Sequence, residues 1–389
     1  MVHRMVRDRQ YGGEIVPVTS STSETQPRPC PIHRVSSRLS CESVQSILFV
    51  ELLGGIGDLL MALPAIHALA RSHPGSRVSV LTFRPGGELL EADPEIAEVL
   101  CARRGPDVGD AGPPARRDLA SLLAARSFDL IVSDTRYARI HELIEGSTSG
   151  RAVTHLWRDA GRDEPIERLF LRRLVEEGVV EARFADLPTR LPVAPEEEAW
   201  AARWWAASGL PRGDTVVLNP HSGMPIKRWP AAHFVELGRA LRRGGRPVAV
   251  LAGELPDAAE SVAAQIPEAI VVPPARLRRL AGLVAGVGAL VSADTGPAKV
   301  AAAVGTPVVG VFGPTWAGRY GHLPPSVNLQ SPFDCPELNP LNFTVQRCWY
   351  SGRCIFPGKA SCCEDVRPEQ ALAAVEGVLA SRNRRGSDG

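Results

Sequence analysis

Apolar residues fall along this chain in short continuous runs, and stretches with a helical repeat separate them. SILFVELL (residues 46–53) is apolar almost throughout, as expected of a parallel strand covered on both faces. LLMALPAIHALARSH (59–73) has the helical pattern, with Pro74 and Gly75 beyond its end. Pro64 lies inside it, where a proline predicts a kink or the helix's true first turn. Residues 77–83 read as the next strand, so 46–83 make a complete βαβ unit. A helix at 118–126, a strand at 128–133 and a helix at 165–177 continue the alternation more weakly. The Gly- and Pro-rich stretch 105–114 predicts a surface loop, and LPTRLPVAPEEE (187–198) an interdomain linker.

The second half repeats the pattern more cleanly. Strands are expected at 215–219, 247–252, 269–272, 289–292 and 308–312, with helices at 196–207, 230–243, 255–265, 277–285 and 298–304. Trp200, Trp204 and Trp205 form an aromatic stripe that reads as packing, and Trp229-Pro230 as a staple starting a helix. A last helix is expected at 367–379. Two successive strand–helix series predict an α/β chain with two doubly wound, Rossmann-like domains, whose ligands sit between them beyond the carboxyl ends of the strands. The boundaries read as an extension at 1–45, a first domain at 46–190, a second at 191–334, and a Cys-rich segment with a final helix at 335–389.

Composition narrows the function classes. Of 389 residues 44% are hydrophobic, enough for a sizeable core, and a net charge of +1 offers no general attraction to nucleic acid. No window resembles a membrane span, so at most peripheral membrane contact is expected. Residues 1–45 are rich in Arg, Ser, Thr and Pro, lack periodicity and lack the apolar core of a signal peptide. They read as a disordered extension of a cytoplasmic protein. Cys30, Cys41 and Cys101 look like isolated thiols, whereas Cys335, Cys348, Cys354, Cys362 and Cys363 follow the spacing C-x12-C-x5-C-x7-C-C. Four thiolates could hold a structural zinc or iron, but the CxxC pairs typical of such sites are missing, and free thiols or a disulfide are the alternatives.

Three stretches could carry chemistry. Gly54, Gly55 and Gly57 lie between a strand and a helix and permit close approach of a ligand, and Asp58 is either a helix cap or a carboxylate that takes a proton from a nucleophile. The dinucleotide fingerprint GxGxxG is not met, because Leu60 occupies the third glycine position; this disfavours an NAD-dependent oxidoreductase. In PHSGMPIKRW, Ser222, Gly223 and Lys227 follow a strand and suit a diphosphate, although a lone lysine is more often a solvated charge. In GALVSADTGPAKVAAAVGTPVVGVFGPT, Asp294, Thr295, Gly296 and Pro297 form a turn opening a helix, with Asp294 or Thr295 as its cap and Gly305 ending it. Free N–H groups there make an anion site, and an ordinary βαβ connection fits equally.

Together the blocks SILFVELLGGIGDLLMALPAIHAL, LNPHSGMPIKRWP and VSADTGPAKVAAAVGTPVVGVFGPT resemble glycosyltransferase family 9, the heptosyltransferase family. The resemblance implies a GT-B fold, with two Rossmann-like domains facing across a cleft, the acceptor in the first and the nucleotide-sugar donor in the second. It implies inverting, metal-independent sugar transfer, typically from ADP-heptose, to a glycan, lipid-linked or small-molecule acceptor; no DxD triplet occurs in the chain. It makes Asp58 the general base. Ser222, Gly223, Lys227, Glu254, Asp294, Thr295 and Gly296 become donor contacts, with Glu254 on the ribose. Lys299 stands where the family usually has His, which keeps a charge near the phosphates and loses directed imidazole hydrogen bonds. Arg136, Arg139 and Arg168 could meet an anionic acceptor. The rival reading is a non-catalytic nucleotide-sugar-binding or scaffold protein that retains the fold.

Overall fold

The computed structural model describes residues 44–105, 112–135, 137–147, 150–253 and 256–387. Among them the first half carries β1 (Ser46–Val50), β2 (Arg77–Phe83), β3 (Glu98–Ala102), β4 (Leu130–Ser133) and β5 (Arg151–Val153), ordered β3-β2-β1-β4-β5. The second half carries β6 (Val216–Asn219), β7 (Val248–Leu251), β8 (Ile270–Val272), β9 (Ala289–Ala293), β10 (Val308–Phe312) and β11 (Val327–Gln330), ordered β11-β10-β9-β6-β7-β8. Every pairing is parallel. The helices of the first half are α1 (Ile56–Ser72), α2 (Gly112–Ala125), α3 (Ile140–Ser147) and α4 (Ile166–Glu176). Those that follow are α5 (Pro195–Ser208), α6 (Ala231–Arg243), α7 (Pro256–Ala263), α8 (Leu277–Val284), α9 (Gly296–Ala303), α10 (Ala317–Tyr320), α11 (Arg347–Ser351) and α12 (Pro368–Ser387).

In each sheet the chain runs outward from a central strand and then returns to that strand's other side. The switch points therefore lie between β1 and β4 and between β6 and β9, and the loops leaving those strands are where such sheets bind ligands. The halves meet through α1 and α9, whose first turns pack together. A Cβ on Gly296 would lie 3.4 Å from Ile56, so the glycine lets the two helix starts approach closely. One core joins the halves through this contact, with Leu63 and Ile66 of α1, Phe170 of α4, and Ala298 and Ala301 of α9. A second core covers the other face of the second sheet, where Trp229, Phe234 and Leu237 meet Ala371, Val375 and Val378 of α12.

Most expected elements are present, several displaced by a residue or two. α1 runs through Pro64 without ending and starts earlier than expected, at Ile56. The helix expected at 367–379 continues to Ser387. Not expected were β3, β5, β11, α3, α10 and α11. The three strands lie at sheet edges, and their residues are mostly half-exposed, so they lack the continuous apolar signal of the central strands. Trp205 is buried with Nε1 donating to the Leu283 carbonyl (3.0 Å), and Trp229 likewise to Val366 (2.8 Å), so both are packing residues. The expected 1–45 extension, with Cys30 and Cys41, lies outside the described residues apart from Val44 and Gln45, as does most of the 105–114 loop.

Candidate functional site

The loop after β1 is built around a buried acid. Glu51, 1% exposed, accepts hydrogen bonds from the Leu53 N–H (3.0 Å) and Gly54 N–H (3.4 Å) on Oε1 and from the Thr82 hydroxyl (2.7 Å) on Oε2. Gly54 has φ of +96°, a conformation that favours glycine. Gly55 then caps α1 with no side-chain bond, and a Cβ there would lie 2.3 Å from Asp58 Oδ2. Asp58, in the first turn of α1, folds its carboxylate back onto the Gly55 N–H. Asp58 thus makes the capping contact foreseen for it.

Burial raises the Asp58 carboxyl above its usual range; the Lys227 charge opposes this and the Asp294 charge adds to it. Burial, and then the Asp58 charge, push Glu51 up to about 7. Asp134, fully buried just after β4, is raised by burial and by both neighbouring acids, and its Oδ2 makes no hydrogen bond among the described residues. Glu51 and Asp134 escaped the sequence reading. The signal was an acid directly after each buried strand, in FVELL and IVSDT.

On the second half, Lys227 Nζ donates to Asp294 Oδ2 (2.7 Å), which also accepts from the Thr315 hydroxyl (2.9 Å). Burial alone would raise the Asp294 carboxyl, but the charge and hydrogen bond of Lys227, with Lys299 and Thr315, hold it below its usual range. The Lys227 ammonium lies 5.1 Å from the Trp349 ring centre and 5.7 Å from Phe343, so the Cys-rich segment forms one wall of the site. Thr295 is the N-cap of α9, yet its hydroxyl pairs with Ser292 Oγ (2.9 Å) and Asn219 Nδ2 (3.2 Å) rather than capping. The side-chain cap expected from Thr295 or Asp294 is absent because both side chains have other partners. Ser222 is buried and bonds within its own loop to Met224, while Gly223 has open space around it.

Some expected residues sit elsewhere. Lys299 is 5% exposed, with its Nζ donating to the Gly321 carbonyl (3.0 Å) and 3.7 Å from Glu167 Oε1. Its ammonium thus joins the halves, and its charge still acts on Asp58 and Asp294. Glu254 and Arg136 lie outside the described residues. Arg139 is engaged by Glu142, and Arg168 by Asp186.

Cys335, Cys348, Cys354 and Cys362 line one pocket of about 420 Å³ together with Phe333 and Phe356. Cys363 turns away, its thiol 3.4 Å from the Lys227 carbonyl oxygen. Among the described residues no group of three or more His, Cys, Asp or Glu is arranged to hold a metal ion. Burial, and then the neighbouring cysteines, raise the thiols of Cys348 and Cys362, and burial pushes Cys363 up to about 12. The zinc or iron expectation for these five cysteines does not fit this arrangement.

Comparison with known proteins bears on the whole chain. The profile of glycosyltransferase family 9 (heptosyltransferase) matches residues 174–336, which include Lys227 and Asp294. Lipopolysaccharide heptosyltransferase 1 of Pseudomonas aeruginosa is 27% identical over 345 residues, 83% of this chain and 95% of its own length. The chain is thus similar to glycosyltransferase family 9 over residues 174–336 and to a lipopolysaccharide heptosyltransferase over most of its length. Two solved structures share its fold. A family 9 protein from Veillonella parvula superposes with a TM-score of 0.70 at 20% identity, covering 87% of this chain and 98% of its own. The ADP-heptose lps heptosyltransferase II of E. coli superposes with a TM-score of 0.60 at 17% identity, covering 87% and 99%. The GT-B arrangement expected of the chain is therefore present, its two α/β halves facing through the loops after β1, β4, β6 and β9.

Proposed function

We propose that this chain is a family 9 glycosyltransferase that moves a heptose from ADP-heptose to an acceptor hydroxyl, with inversion and without a metal ion in the transfer step. The observation that carries the reading is Asp58: a half-buried, raised carboxylate on the first-half helix that feels the Lys227–Asp294 pair of the second half. Asp58 takes the proton of the acceptor hydroxyl, whose oxygen forms the new bond to the anomeric carbon as the bond to the diphosphate oxygen breaks. A base raised toward neutrality is well matched to this task. Lys227 and the side-chain-free start of α9 receive the charge developing on the diphosphate. The names of the relatives support a lipopolysaccharide-core acceptor. Among the described residues no helix is long and apolar enough to cross a membrane. Free thiols suit a reducing, cytoplasmic setting.

The test is Asp58→Asn with ADP-heptose and a core acceptor. Transfer should fall on the order of 10²- to 10⁴-fold, as for loss of a general base, while ADP affinity stays within about twofold. Wild-type-like turnover would remove Asp58 from this role. Thermal stabilisation by UDP or GDP in preference to ADP would overturn the donor assignment.

A further inference from the structure

A second cavity lies where the halves join, walled on the α9 side by Lys299, Ala302 and Ala303. Counting the space open to solvent, it encloses about 540 Å³. Leu60 of α1 and Glu167 of α4 line it from the first half, Pro188 and Thr189 from the connecting segment, and Lys299 and His322 from the second half. Asp58, Lys227 and Asp294 are not part of its wall.

Its polar groups are unusual in what they leave unpaired. Glu167 Oε2, Thr189 Oγ1 and both ring nitrogens of His322 are buried and make no hydrogen bond among the described residues. Glu167 and His322 are each 4% exposed. Burying a polar atom without a partner is costly, so four around one space call for something to satisfy them.

The chemistry of the wall selects the occupant. The Glu167 charge is balanced by Lys299 at 3.7 Å, so the lining carries little net charge. Burial, with the Lys299 charge beside it, pushes the His322 imidazole down to about 3; the neutral ring offers one donor and one acceptor. Glu167 Oε2 needs a donor, one His322 nitrogen needs a donor and the other an acceptor, and Thr189 takes either. A fully ionised phosphate only accepts, and its charge would face the Glu167 carboxylate. Neighbouring hydroxyls on a carbon frame meet all four groups, and the apolar remainder of the wall suits their C–H faces.

We propose that this cavity, which adjoins the transfer cleft through Lys299, is a second binding site for a neutral polyhydroxylated ligand: a free polyol or a single sugar residue. The site draws on both halves and on the segment between them, so its occupant bridges them. It stands independently of the donor assignment.

The experiment is saturation-transfer NMR on the full-length protein with ADP present throughout. One arm offers glycerol and mannitol, the other the methyl glycosides of mannose, glucose and galactose. Signal is expected in at least one arm, and the arm identifies the source. His322→Phe fills the space, and Thr189→Val removes a hydroxyl with little change of shape. Each should weaken binding at least fivefold while ADP affinity, read separately by calorimetry, stays within twofold. No signal in either arm overturns the proposal, as does binding that is equally strong in both variants. If His322→Phe does not fold, the Thr189→Val result decides alone. Transfer activity is a separate readout, so failure of the cavity and failure of the transferase reading are distinguishable.

Discussion

Glu51→Gln isolates one buried charge whose effect depends on pH in a calculable direction. Glu51 ionises only near pH 7 in the folded protein, against its ordinary 4.5, because burial and the Asp58 charge oppose its ionisation. A raised carboxyl favours folding in its neutral form; that stability is complete below about pH 4.5 and is lost as the pH rises through 7. At about 1.4 kcal/mol per pH unit the loss is about 3 kcal/mol. Glutamine is neutral throughout, its oxygen can still accept from the Leu53 and Gly54 N–H groups, and its amide can donate to the Thr82 hydroxyl. The variant should therefore be more stable than the wild type by about 3 kcal/mol at pH 8, with the difference closing toward pH 4. Removing this charge also relieves Asp134, which lies in the same cluster, so any coupling adds in the same direction. Urea unfolding of both proteins at several pH values, followed by tryptophan fluorescence, measures the difference. A difference that stays flat with pH, or a variant less stable at pH 8, would refute the argument.

Two further predictions concern the second half. Lys227→Met leaves Asp294 with Thr315 as its remaining side-chain partner, and should cost about 2–3 kcal/mol at pH 7, toward the low end for a broken buried pair. Asp294 is held below its ordinary 3.8, so the stability its pairing supplies is present above that pH and fades as the pH falls below it. Urea midpoints at pH 7 and pH 3 check both the size and the sign; an equal loss at both would sink the reading. The thiol pocket should yield no stoichiometric zinc or iron on metal analysis of the purified protein. One ion per chain that disappears in Cys348→Ser/Cys354→Ser would overturn that expectation.

The layered architecture was legible because central parallel strands are apolar on both faces and their connecting helices are periodic. SILFV and VVGVF could be little else. Asp58, Lys227 and Asp294 were legible because each lies in a short polar loop directly after a buried strand, where doubly wound folds place their ligands. Edge strands such as Val327–Gln330 were not, since pairing on one side alone imposes no apolar pattern.

Tertiary packing decided what each polar group faces. Glu51 and Asp134 are eighty-odd residues apart in sequence, and they interact because β1 pairs with β4. Lys299 looked like a phosphate ligand from its place in the helix; only the packing of α9 on α1 and α4 turned its ammonium toward Gly321 and Glu167. The four cysteines were a spacing in the chain, and packing made of them an apolar thiol pocket whose groups are not arranged to hold a metal. Local sequence determines which segments become strands and helices, because periodicity and turn chemistry act over a few residues. Charge partners, burial and therefore proton affinity depend on neighbours brought together from distant parts of the chain.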